Sequence, residues 1–126
     1  MPLVKIEICE GRSSENLLLL QETVMDSVVK VLELPDNDRN IRLQQYKPGF
    51  FSMKPPYEIL IEISLFKGRT TKTKKLLYQT IIENLRNLDI KKESVFILLN
   101  EQPLENWGVR GGIPASEIEF AFVIEK

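Results

Sequence analysis

Apolar and polar residues alternate from Leu3 to Cys9. Val4, Ile6 and Ile8 fall on one face, with Leu3, Lys5, Glu7 and Cys9 on the other, and this period of two predicts a strand. Glu10-Gly11-Arg12 interrupts it, and Ser13-Ser14 offers a helix N-cap with Glu15 in the favourable first turn. Leu17, Leu20, Val24, Val28 and Val31 then recur at helical spacing. The helix is expected to stop near Leu34-Pro35, because proline disfavours a helical residue before it. The turn Asp36-Asn37-Asp38-Arg39-Asn40 leads into a predicted strand over Ile41–Tyr46, which Lys47-Pro48-Gly49 ends.

The same order then recurs. Tyr57–Phe66 alternates as a strand, with Ile59, Ile61, Ile63 and Leu65 on one face. Lys67-Gly68-Arg69 breaks it, Thr70-Thr71 caps a helix whose apolar residues run from Leu76 to Leu88, and Ser94–Asn100 reads as another strand. A shift of 57 positions superposes Val4, Ile6 and Ile8 on Ile61, Ile63 and Leu65. It also sets Gly11-Arg12-Ser13-Ser14 on Gly68-Arg69-Thr70-Thr71, and Thr23-Val24 on Thr80-Ile81. Each half is therefore a β-α-β unit, with a parallel strand pair and a right-handed crossover expected in each.

The predicted architecture is α+β: one four-stranded mixed sheet with both helices on one face, plus a short C-terminal strand. One domain spans 1–126, with repeat one over about 2–50, repeat two over about 57–110 and a C-terminal hairpin or strand over 111–126. Within that tail, Gly111-Gly112 predicts a turn, and Ile118, Phe120, Phe122 and Ile124 alternate as a strand placed to pair with a neighbouring subunit. The uncovered face of the sheet predicts oligomerisation.

Composition narrows the chemistry. At 126 residues and 43% hydrophobic, the chain can bury a core, and 17 Lys+Arg against 18 Asp+Glu argues against general nucleic-acid binding. No histidine is present and Cys9 is the single cysteine, which removes His-dependent triads, intrachain disulfides and clustered Cys/His zinc sites. No apolar run reaches the length of a membrane span and no targeting pattern opens the chain, so a cytoplasmic protein with no membrane partner is expected.

The start Met1-Pro2-Leu3, the turn Glu10-Gly11-Arg12-Ser13, its echo Lys67-Gly68-Arg69, and the tail Asn106-Trp107-Gly108-Val109-Arg110-Gly111-Gly112 together resemble the tautomerase superfamily, typified by 4-oxalocrotonate tautomerase and malonate semialdehyde decarboxylase. The resemblance spans nearly the whole chain and implies a fused two-repeat member, a homotrimer, with no cofactor and no metal. It further implies that Pro2, freed by removal of Met1, is the catalytic group. The chemistry is coherent: an α-amino group has a reference pKa of about 7.7–8, and desolvation or nearby arginines lower it to give a neutral base.

By the same resemblance, Arg12 matches a substrate-binding arginine of the short tautomerases, and Lys67 and Arg69 sit like the decarboxylase's paired arginines that hold the substrate carboxylate. Lysine replaces the first of that pair here. Asp38 matches an aspartate that handles water or assists loss of carbon dioxide, although an aspartate there is also an ordinary turn former. Arg42 matches a strand arginine that polarises substrate. Trp107 matches a pocket wall beside the proline, or else anchors an interface. Arg110 is a further carboxylate contact or an exposed residue. The implied function is tautomerisation of a small oxo or enol carboxylic acid, with Pro2 as general base and Arg69 stabilising developing charge. Two alternatives stand beside it: a decarboxylase or hydratase using protonated Pro2 with Asp38, and a non-catalytic trimeric ligand-binding module.

Overall fold

The computed structural model describes residues 2–124. Its strands and helices run β1 (Leu3–Cys9), α1 (Ser14–Leu32), β2 (Ile41–Tyr46), β3 (Ile59–Phe66), α2 (Thr71–Arg86) and β4 (Val95–Gln102), followed by the two-residue strands β5 (Gly108–Val109) and β6 (Ile113–Pro114). The large sheet has the order β2-β1-β3-β4. β1 is parallel to β2 and β3 to β4, while β1 and β3 meet antiparallel at the centre. This is the mixed four-stranded sheet the repeat predicts.

Local chemistry sets the element ends. Ser13 accepts from the Asn16 backbone N–H (3.1 Å) and Thr70 from that of Thr73 (3.2 Å), so the repeated hydroxyls at the two turns are both N-caps. Helix α1 stops with Glu33 in the left-handed region (φ 53°), two residues ahead of Pro35. The strand predicted from Tyr57 starts two residues later, at Ile59, and β4 continues to Gln102 rather than ending at Asn100.

The core lies between sheet and helices. Val4, Ile6 and Ile8 of β1 and Ile59, Ile61, Ile63 and Leu65 of β3 face Leu20, Val24 and Val28 of α1 and Leu77, Ile81 and Leu85 of α2. The two copies are related about an axis that can be located at two levels. Lys5 and Glu62 are opposite one another across β1 and β3, and Asn84 donates to Ser27 Oγ (2.9 Å) between the helices. Each pair consists of residues 57 positions apart, so both pairs straddle the axis. Neither copy could cover its strands without the other.

The predicted strand over Ile118–Ile124 does not form. The short C-terminal strand is Ile113–Pro114, which pairs antiparallel with Gly108–Val109 through a turn in which Arg110, Gly111 and Gly112 all have positive φ (50°, 85° and 87°). Beyond it the chain curls back, and Phe120 and Phe122 pack on Phe66 at centroid distances of 5.1 and 6.3 Å. Alternation there serves ring burial rather than a ladder. Residues 125–126, the last of the predicted C-terminal segment, lie outside the described residues. No helix among the described residues is long and apolar enough to cross a membrane.

Candidate active site

Strand direction decides which candidates meet. Pro2 precedes β1, and Asp38 precedes the parallel β2, so both lie at the same end of the sheet. Lys67 and Arg69 follow the antiparallel β3 and Trp107 follows β4, so these three arrive at that end too. Continuing the observed registers by two steps and one step sets Pro2 between Arg39 on one side and Leu65 on the other. Pro2 extends the inward phase of Val4, Ile6 and Ile8 and is buried. The fate of Met1, on which a free Pro2 amine depends, concerns a residue outside the described ones.

Arg69 is among the few buried charged residues, at 8% exposure. Its Nη1 donates to the Leu32 carbonyl (3.1 Å) in the last turn of α1, a terminus that favours a cation. Burial pulls its pKa below the ordinary guanidinium value. Repeat two thus sends its turn arginine to the end of repeat one's helix. Lys67 is exposed, and its backbone N–H donates to the Gln102 carbonyl (2.9 Å).

Asp38 is half-buried in a tight turn. Its N–H donates to the Pro35 carbonyl (2.9 Å), and its Oδ1 accepts from Asn40 Nδ2 (3.2 Å). Its neighbour Arg39 holds that turn in place, donating to Asp26 (2.6 Å), to the Asp36 carboxylate (3.0 Å) and to the Asp36 carbonyl (2.8 Å). The bonds to the Asp26 and Asp36 carboxylates raise the Arg39 pKa, with the Asp26 bond the main cause. Arg39 is therefore committed to structure although it stands beside Pro2.

Trp107 is half-buried, with Nε1 donating to the Gln102 carbonyl (3.3 Å) and its ring edge-on to Phe66 at 5.0 Å. Phe66 is nearly fully buried under Trp107, Phe120 and Phe122. Arg110 places its guanidinium 5.7 Å from the Phe120 ring centroid, a cation–π contact. This four-ring wall was not anticipated. Its signal was present in the last residue of the alternating β3 and in the i, i+2 pair Phe120/Phe122 of the tail.

Two candidates are not brought to Pro2 within one chain. Arg12 follows β1 and lies at the opposite end of the sheet, about 20 Å away along the strand. There its Nη1 donates to Asn16 Oδ1 (3.1 Å). Arg42 pairs with Lys5 on the uncovered face of the sheet and is exposed, whereas Pro2 belongs to the helix-facing phase.

A mixed sheet built from two β-α-β units, with a proline opening the first strand and a basic turn from the second unit at the same end, defines the class of a fused tautomerase-type fold. The chain belongs to the tautomerase enzyme family: the family model for tautomerase enzymes matches residues 38–110. It is 32% identical over 121 residues to the probable tautomerase YusQ of Bacillus subtilis (strain 168), covering 89% of this chain and 95% of that protein. Among solved structures it is similar to FG41 malonate semialdehyde decarboxylase inhibited by 3-bromopropiolate, with a TM-score of 0.78, 25% identity, and 92% and 97% of the two chains covered. It also shares the fold of a wild-type fused 4-OT symmetric trimer, with a TM-score of 0.81, 22% identity, and 90% and 96% covered.

Proposed function

We propose that the protein is a cofactor-independent tautomerase for a small oxo or enol carboxylic acid, with the amine of Pro2, freed of Met1, as the general base. The observation that carries this reading is the convergence of Pro2, Lys67, Arg69 and Trp107 at one end of the sheet. The secondary amine removes a proton next to the carbonyl and returns it at the other end of the enol system. Arg69 and Lys67 hold the carboxylate and balance enolate charge, and the Trp107 wall excludes water from the amine.

Three chains form the working unit in this reading. Similar solved structures include fused 4-OT trimers. The uncovered sheet face carries exposed Leu3, Phe96 and Leu98, a surface suited to burial between copies. In the trimer, Arg42 is a candidate to serve a neighbouring chain's substrate.

A decarboxylase or hydratase reading is favoured by one specific feature, the half-buried Asp38 at the Pro2 end. In that case Pro2 acts protonated, and Asp38 handles water. Intact mass of natively expressed protein tests both readings at once, since retained Met1 makes Pro2 an amide and excludes either. With Met1 absent, Pro2→Ala is assayed against phenylenolpyruvate and 2-hydroxymuconate. A loss of about 100-fold or more in turnover supports the base role, and unchanged turnover overturns it. Activity confined to pH below the amine pKa selects the second reading over the first.

A further inference from the structure

The two-fold relation between the repeats gives the Pro2 end a counterpart at the other end of the sheet. There a crevice of about 410 Å³ opens between the β1–α1 turn and the chain that joins β2 to β3. Its lining includes Glu10 and Arg12, which occupy the positions of Lys67 and Arg69 in the other copy, with Phe51, Met53, Tyr57 and Glu58 opposite. The position equivalent to Pro2 is Ile59, so this end has no amine base. It lacks the group that would carry the proposed chemistry.

Three features of this end indicate what it binds. Arg69 is buried and spends a nitrogen on a helix carbonyl, whereas Arg12 is half-exposed at the crevice and is steadied by Asn16. A guanidinium fixed by one nitrogen keeps the others for a carboxylate. Lys67 is replaced by Glu10, and Glu58 adds a second carboxylate, so a dianion is repelled and an ammonium is attracted. Phe51, Met53 and Tyr57 supply an apolar wall, with Phe51 itself stacked on Tyr46 at 5.2 Å. The volume lies in the range of small-molecule sites.

We propose that this crevice binds an α-amino acid with an apolar side chain. Arg12 takes the carboxylate, Glu10 and Glu58 take the ammonium, and the side chain lies against Phe51, Met53 and Tyr57. The site is separate from the proposed reaction, and its test needs no turnover. The intact native protein, in its own assembly state, is titrated with L-leucine by calorimetry and by amide-shift mapping. The expected result is saturable binding, with shifts confined to residues 8–12 and 51–58. 4-Methyl-2-oxopentanoate, which lacks the ammonium, and 3-methylbutylamine, which lacks the carboxylate, are each expected to bind at least about tenfold more weakly.

Arg12→Gln and Glu10→Gln are expected to weaken L-leucine binding by a similar factor. Arg12→Lys, which keeps the charge and the fold but loses the fork, should fall between wild type and Arg12→Gln. Thermal melts of each variant separate loss of binding from loss of fold. No saturable binding of L-leucine to wild type overturns the proposal, as do shifts mapping to the Pro2 end or equal affinity for the oxo acid. Normal binding by a folded Arg12→Gln variant overturns it too.

Discussion

Asn84 Nδ2 donates to Ser27 Oγ at 2.9 Å, and these residues hold the same position in the two copies of the repeat. The bond therefore joins the helices at the axis that relates them. Ser27 is almost wholly buried and its own O–H donates to the Thr23 carbonyl (2.8 Å), so its oxygen is satisfied in both directions. A symmetric repeat would set like against like here. The chain instead sets a longer carboxamide against a hydroxyl, and the amide donates across the axis.

Asn84→Ala removes the donor and leaves a buried hydroxyl oxygen with one partner fewer, at a cost of about 1–2 kcal/mol. Denaturant unfolding should show a lower midpoint with the same slope. Ser27→Ala combined with Asn84→Ala should cost less than the two singles added, because each single strands the other partner. Strict additivity would show that the bond does not couple the helices.

The sequence carries the fold here because each copy repeats the same punctuation: a glycine-arginine turn, a hydroxyl cap, then an apolar helix. Val4 and Ile61 announce the inward phase as plainly alone as they do together. The tail differs from its predicted strand because Phe120 and Phe122 alternate as strand residues do, yet what buries them is the ring of Phe66, a contact between residues more than 50 positions apart. The arrival of Arg69 at the Pro2 end, opposite Arg12, depends on β1 and β3 running antiparallel at the centre, and each copy by itself leaves that direction open. Arg39 shows the remaining gap. It follows the candidate Asp38 in sequence, but its bonds to Asp26 and Asp36 commit it to the turn.

Arg69 bonds to the Leu32 carbonyl from a buried position, so its removal affects stability as well as the proposed reaction. Arg69→Ala should lose about 1.5–3 kcal/mol, the range for a hydrogen bond from a charged donor. Turnover, assayed at a temperature where the variant is fully folded, should still fall by about 100-fold if Arg69 also stabilises the enolate. A folded variant that keeps full turnover would restrict Arg69 to its helix-end role.

Phe66 sits at the centre of the four-ring wall, with Trp107, Phe120 and Phe122 around it. Phe66→Ala is expected to cost about 3–5 kcal/mol, because the rings that pack on it cannot all close the space. Phe66→Leu keeps most of the volume and should cost less. Limited proteolysis reads the same contact directly: cleavage after residue 117 should speed up in Phe66→Ala and much less in Phe66→Leu. Equal protection in wild type and Phe66→Ala would mean that the tail is held by something other than this cluster.

On the uncovered face, Tyr46 Oη donates to the Glu7 carboxylate, and Lys5 Nζ stands 3.7 Å from the same group. The Glu7 bond is the largest of the causes that raise the Tyr46 pKa above its ordinary value of 10.0, followed by burial and the charges of Glu7 and Glu62. Ionising the phenol would remove the donor and set a phenolate against a carboxylate, which is why the neutral form is favoured. A pKa raised by folding means that the contribution to stability is complete below pH 10. That contribution is lost as pH rises through the elevated value. In an alkaline absorbance titration, one of the three tyrosines should therefore ionise later than the others, and Glu7→Gln should bring that transition down. Tyr46→Phe should abolish the late transition and flatten the fall in melting temperature over the same alkaline range. A late transition that survives Tyr46→Phe would belong to another tyrosine and would remove Glu7 as its cause.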